Sequence, residues 1–332
     1  MADTGRIPLQ LLLPQIVPLA LAVLILQFFG FGAISGNLTA FTAPNEPQAF
    51  KLLQHYGDII LLGAAASCHI CICTIATWRF VAYTHASRIS GRRMLFFFGI
   101  AIFVAVMGAM IVLPVEELAV FQLTYFAIRD LIAGGLKSSP LLPDIAFKAS
   151  ALSISAWVLT GFGVAAVVTA TMAAGVAARP LPQTGTESEA WKEQFSQRVK
   201  LLQSDLYVLS LVLVSSTINA SLYFHLPVTL YSKKLQPPVA AYLDDLTLFW
   251  ATIYTLTLIA SIIPAYFHLR AQAKSYARAN LDIDHPGEIR IWLSSLTANN
   301  AISGQIMNVA VLLAPLFAGP LGNMLQGFLS GA

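Results

Sequence analysis

The chain has 332 residues, of which 57% are hydrophobic and 11% charged, with a mean hydropathy of +0.72. A soluble domain carries roughly a quarter charged residues, so this composition excludes a soluble globular protein, and a net charge of +3 is too small to recruit nucleic acid. No polar stretch is long enough for a separate soluble domain, so the expectation is one integral membrane domain over 1–332, an all-α polytopic transmembrane helical bundle in contact with the lipid bilayer.

Apolar runs of about 18 or more residues, each able to cross roughly 30 Å of hydrocarbon, place six spanning helices at about 8–34, 59–84, 94–114, 149–178, 206–228 and 246–269. The apolar run from Leu9 to Ile34 is much longer than a secretory h-region of about 7–15 residues, so it reads as a retained anchor. Within it Pro14 and Pro18 are bends that neighbouring helices can accommodate, and Gln15 and Gln27 should point into the bundle. Residues 36–58 form an outer loop that contains Asn37-Leu38-Thr39, a glycosylation sequon of little weight in a bacterial-type protein.

The second span, IILLGAAASCHICICTIATWRFVAYT from Ile59 to Thr84, holds all three cysteines and a histidine, His69, at mid-membrane depth. Toward its far end it carries Arg79, the first of a cationic group that continues through Arg88, Arg92 and Arg93. Cations concentrate on the cytoplasmic side of membrane proteins. With six spans, one side collects thirteen of the 19 Lys and Arg: Arg6, Arg79, Arg88, Arg92, Arg93, Arg179, Lys192, Arg198, Lys200, Arg270, Lys274, Arg278 and Arg290. Only Lys51, Arg129, Lys137, Lys148, Lys233 and Lys234 fall on the other. The expected location is therefore the bacterial inner (cytoplasmic) membrane, multi-pass, with a cytoplasmic N-terminus.

Spans three and four carry small residues at four-residue spacing, Ala101, Ala105 and Ala109 on one and Ala166, Ala170 and Ala174 on the other. Such stripes let backbones approach where lipid supplies no hydrophobic force between helices. They pack either the bundle itself or an oligomer. Between these spans, residues 115–134 begin with Glu116 and Glu117, which suit a helix N-terminus, and then turn apolar. This segment is expected to be an outer interfacial helix, lying on the membrane or against a partner subunit.

On the inner side, Thr186-x-x-Glu189 is a capping box, and Trp191, Phe195, Val199 and Leu202 follow at helical spacing. A helix running from about 187 into the fifth span follows, roughly 60 Å long. The sixth span should also overshoot, through Arg270, Lys274 and Arg278. Trp191 and Phe195 are then an interface, between the two protruding helix ends or with another protein. Residues 270–332 form a cytoplasmic-side tail. Ile289, Trp292, Leu293 and Leu296 mark an amphipathic surface helix, and residues 301–329 form an interfacial or re-entrant segment, because Gly304, Pro315, Gly319 and Pro320 interrupt its apolar run. Each half of the chain has three spans and the halves are inverted, as in many transporters, but no internal repeat is visible.

His69 is the candidate for chemistry, since an ionisable group inside the membrane is a functional position by default. Two uses compete: a neutral histidine hydrogen-bonded within the bundle, and an axial ligand to haem b. No other histidine lies at its depth; His55 falls in the outer loop and His225 near the outer surface, with His85 and His268 near the inner one. Cys68-x-x-Cys71-x-Cys73 on one continuous helix points its thiols apart and matches no zinc pattern, so no metal is expected. The fifth and sixth spans supply a polar seam of Ser215, Ser216, Asn219 and Tyr223 with Tyr254, Thr255, Thr257 and Ser261. No Asp, Glu, Lys or Arg lies centrally in any span, and no nucleophile sits with an acid–base partner, so an enzyme is not expected. The sequence therefore points to a non-enzymatic membrane subunit that acts by assembly, as a homo-oligomer or with other membrane subunits. The alternatives are a channel or facilitator along the seam and His69, and a haem- or quinone-associated redox anchor.

Overall fold

The structure, a computed structural model, describes residues 46–86, 127–136, 145–172, 188–231, 234–280, 285, 287–288, 292 and 310–320. The expected first and third spans, with Ala101 and Ala105, lie outside these residues. Among the described residues every regular element is helical: α1 Glu46–Ala86, α2 Ala127–Leu136, α3 Ile145–Met172, α4 Ser188–His225, α5 Gln236–Asn280 and α6 Ala310–Pro320, with a single 3₁₀ turn at Val228–Leu230. Four of them, α1, α3, α4 and α5, are long and apolar enough to cross a membrane.

Two helices start well before their apolar runs. α1 begins at Glu46, which takes residues 46–58, His55 among them, out of the expected outer loop. α5 begins at Gln236 rather than near 246. Both have proline within the first turn, Pro47 in α1 and Pro237-Pro238 in α5. First-turn N–H groups have no intrahelical acceptor, so proline loses nothing there and its fixed φ favours the start. Hydropathy is blind to that signal.

α4 runs opposite to α1, α3 and α5. Arg79 and Ser204 meet at one end of the bundle, while Asp58 and Thr229 meet at the other. Thr171 with Asp205 and Thr160 with Ser216 set the same antiparallel register for α3, and Arg198 with Gln272 and His225 with Asp244 set it for α5. α4 packs on all three neighbours and is the axis of the group: 72% of its apolar window is buried, against 44%, 39% and 39% for α1, α3 and α5. The outward faces of those three are apolar, with Ile75 and Trp78 on α1, Phe162 on α3 and Leu256 on α5 all exposed, which is the pattern of helices whose solvent is lipid.

The approach of α3 to α4 is close at Gly163, where a Cβ would stand 3.3 Å from Val212 Cγ1 and 3.5 Å from Cys73 Sγ. Beyond the Arg79 end, the first turns of α4 and the last of α5 continue together. Trp191 is fully buried and stacks on Tyr276 with centroids 4.0 Å apart and planes at 12°. Phe195 and Trp292 close the cluster at 5.2 and 5.7 Å. α6 lies along α4 and α5: Ser210 Oγ donates to Val311 O at 3.0 Å, and Gly319 abuts Thr247. The eleven described residues of α6 cover roughly 16 Å and reach into the depth of the bundle.

Candidate functional site

His69 lies on α1, fully buried, at the level where α3, α4 and α5 present hydroxyl groups. Its Nε2 is 3.0 Å from the carbonyl oxygen of Ala156. A carbonyl can only accept, so Nε2 carries the proton and Nδ1 is bare. Nδ1 then accepts from Ser215 Oγ at 2.8 Å. Thr160 Oγ1 is 3.0 Å from Nε2 and 2.8 Å from Ser216 Oγ, and Ser216 donates to the Tyr254 hydroxyl at 3.1 Å. Five side chains from four helices thus form one continuous network at a single depth.

Cys73 Sγ stands 3.4 Å from Nε2. A thiol needs the bare nitrogen as its base, and that nitrogen faces Ser215 instead. The arrangement therefore does not activate Cys73. Nor does it offer iron a free nitrogen, because ligation at either position would first break the bond to Ser215 or to Ala156. Among the described residues no group of three or more His, Cys, Asp and Glu could hold a metal ion. The three thiols diverge around α1, with Cys68 exposed, Cys71 half-buried and Cys73 buried.

The expected seam divides when placed on the helices. Ser215, Ser216 and Tyr254 belong to the His69 network. Thr257 returns its hydroxyl to Ile253 O at 2.8 Å within its own helix, and Thr255 and Ser261 bond to Ala251 O and Thr257 O in the same way. Asn219 is buried, and its Oδ1 has no hydrogen-bond partner among the described residues. Tyr223 is buried one turn further along and bonds Ser150. Trp191 stacks on Tyr276 of α5 and on Phe195 of its own helix and meets Trp292, as described above. Ala166 and Ala170 are buried along α3.

A second polar layer lies at the end of the spans. Arg79 Nη2 is 2.9 Å from Asp205 Oδ1, and its Nη1 donates to Ser204 Oγ at 2.6 Å. Thr171 donates to the other carboxylate oxygen at 3.2 Å. Asp205 is only 4% exposed and Arg79 28%, so the carboxylate is inside and the guanidinium straddles the boundary. Asp205 falls one residue before the expected fifth span, where a hydropathy window assigns it to water. Its position between Leu202 and Leu206, both buried, is the only sequence sign that it faces inward. Its partner is on another helix and leaves no trace nearby in sequence.

Between this pair and His69 the side chains that meet are mostly apolar, while the buried hydroxyls of Thr169 and Ser210 turn to Ala165 O in α3 and to Val311 O in α6. Leu209, Val212 and Leu213 of α4 are fully buried, Cys73 and Ala76 of α1 nearly so, and Gly163 closes the gap from α3. Ten residues of α1, about 15 Å at 1.5 Å per residue, separate His69 from Arg79. At the opposite end His225 Nε2 meets Asp244 Oδ1 at 3.0 Å, and Thr229 donates to the buried Asp58 at 3.3 Å.

No protein-family model matches this chain, and neither the curated proteins nor the solved structures yield a match. The helices define the class, a helical membrane protein, and any narrower function rests on the site itself.

Proposed function

We propose that this chain is a non-enzymatic integral membrane subunit, resident in a bacterial inner membrane with its N-terminus in the cytoplasm, that acts by assembling with itself or with other membrane subunits. The observation that carries this reading is the closure of the His69 layer. Each ring nitrogen is bonded across a helix interface, the hydroxyls of Thr160, Ser216 and Tyr254 bond one another, and a tightly packed, mostly apolar layer separates them from Arg79 and Asp205. Polar groups so arranged lock helix register. Within this layer the imidazole and the hydroxyls are bonded to one another or to backbone. Interhelical hydrogen bonds in membranes contribute about 0.6 kcal/mol each, so the layer specifies the packing more than it stabilises it.

The test is extraction in a mild detergent followed by native mass spectrometry and cross-linking in the membrane. A defined oligomer or co-purifying membrane subunits support the reading; a strictly monomeric chain with no cross-linked partner refutes it. A second reading, a facilitator, has one observation in its favour: α4 carries buried polar residues along most of its spanning length, from Asp205 through Ser215, Ser216 and Asn219 to His225. Solute flux into liposomes holding the purified protein would transfer the conclusion to that reading. A Soret band in the same sample would transfer it to the haem anchor.

A further inference from the structure

Ser153 Oγ, Asn219 Oδ1 and Trp250 Nε1 are buried and have no hydrogen-bond partner among the described residues. They sit on three different helices, α3, α4 and α5, with residue exposures of 1%, 3% and 7%. Helix register places all three on the same side of the Thr160–Ser216–Tyr254 contact, Asn219 about 4.5 Å, Trp250 about 6 Å and Ser153 about 10 Å along their helices. On α3 and α4, Ser150 bonds Tyr223 and Thr160 bonds Ser216; Ser153 and Asn219 lie between those two contacts. On α4 and α5, His225 meets Asp244 and Ser216 meets Tyr254; Asn219 and Trp250 lie between these. Each also shares the inward face of its helix. Ser153 is seven residues from Thr160, two full turns, Asn219 is four from Ser215, and Trp250 is four from Tyr254. Ring contacts carry the layer across from α3 to α5, with Trp157 edge-on to Trp250 at 6.3 Å and Trp250 beside Tyr254 at 5.6 Å.

Buried polar groups in native proteins are almost always bonded, and leaving one bare forfeits its solvation without replacement. A fourth such atom, Trp191 Nε1, lies apart in the stacked cluster with Tyr276; the other three neighbour one another on α3, α4 and α5, beside a network in which every member is bonded. Their chemistry is specific. The indole N–H only donates, the amide oxygen only accepts, and the serine hydroxyl does either. The three groups themselves are uncharged, and the depths where α1 and α5 face them carry the small side chains Ala65, Ala66 and Ala251.

We propose that this layer binds a small neutral hydroxyl compound. Its O–H donates to Asn219 Oδ1 and its oxygen accepts from Trp250 Nε1–H, with Ser153 as the third contact. The inference goes beyond the assembly role and does not depend on it, since a hydroxyl site is compatible with a monomer or an oligomer. Two sources share this chemistry, internal water and an alcohol.

The sign of a stability change tests occupancy. Ser153→Ala removes only the hydroxyl and improves helix propensity. If the layer is empty, this variant unfolds at the same or a higher temperature than wild type, as does Asn219→Leu, and the proposal is overturned. If a hydroxyl compound bridges the groups, Ser153→Ala lowers the unfolding midpoint by a few degrees. The double variant Ser153→Ala/Asn219→Leu then loses less than the two singles together, because both lose the same bound molecule. That non-additivity is not expected of two residues that make no bond to each other, and strict additivity also overturns the proposal. Glycerol separates the sources. If the midpoint of wild type rises with glycerol more than that of Trp250→Phe, the site accepts an alcohol. If the two rise equally while the non-additivity stands, the occupant is water, and the hydroxyl site is upheld.

Discussion

The Arg79–Asp205 pair makes an asymmetric prediction, because its two charges are unequally buried. Removing one partner of a buried ion pair costs about 3–5 kcal/mol, most of it from the charge left behind. Arg79→Met strands the Asp205 carboxylate, 4% exposed, with Thr171 as its one remaining donor in the cluster. Asp205→Asn strands the Arg79 guanidinium, but that side chain is 28% exposed and can extend its head to water along its own aliphatic stem. Arg79→Met is therefore expected to lose about 3 kcal/mol, the lower end of the range because the pair is not wholly enclosed. Asp205→Asn, which keeps an acceptor for Thr171, should lose about 1 kcal/mol. The double variant should recover most of the loss, since an amide facing methionine leaves no buried charge. Reversible unfolding in mixed detergent micelles, followed by far-UV circular dichroism across an SDS titration, measures all three. Equal losses for the two single variants, or a double variant whose loss is their sum, would refute the reasoning.

His69→Gln should unfold close to wild type, and His69→Leu should cost only about 1–2 kcal/mol, because Ser215 can turn its hydroxyl to Val212 O and Thr160 keeps Ser216 and Ala156 O as partners; a loss above the Arg79→Met value in the same titration would show that the ring does more than pack. Gly163→Val should destabilise by about 1–3 kcal/mol by driving into Val212 and Cys73, whereas Gly161→Ala, with nothing within 4 Å of the new Cβ, should be neutral or stabilising by up to about 1 kcal/mol; reversal of that order in thermal melts would contradict the packing of α3 on α4. Trp191→Ala removes a fully buried ring stacked on Tyr276 and is expected to cost about 3–5 kcal/mol; limited proteolysis should then cut within 191–200 or 270–280, and an uncut, wild-type-stable protein would show that the cluster is idle.

Sequence alone was enough for the class of this protein. Runs of uncharged residues long enough for hydrocarbon, and helical spacing of Trp191, Phe195, Val199 and Leu202, follow from local chemistry that no tertiary contact can override. The continuous helix from the capping box at Thr186 into the spanning run was legible for the same reason, and α4 spans Ser188–His225. His69 stood out because its depth is a property of its own helix. Its partners did not: Ala156 and Ser215 lie 87 and 146 residues away along the chain, and a backbone carbonyl carries no residue signature at all. Asn219, which looks like a natural partner by type, lies a full turn from Ser215 on α4 and takes no part in the bond. Asp205 was invisible for a related reason. Its charge assigned it to water, and only the approach of Arg79 from α1 and Thr171 from α3 makes its burial tolerable. The helix starts at Glu46 and Gln236 lay between these cases, written locally in prolines that hydropathy does not weigh. What the tertiary structure decided is which polar groups meet, because in a bundle of long helices that choice depends on rotation and register, and a shift of a single turn would exchange every pair.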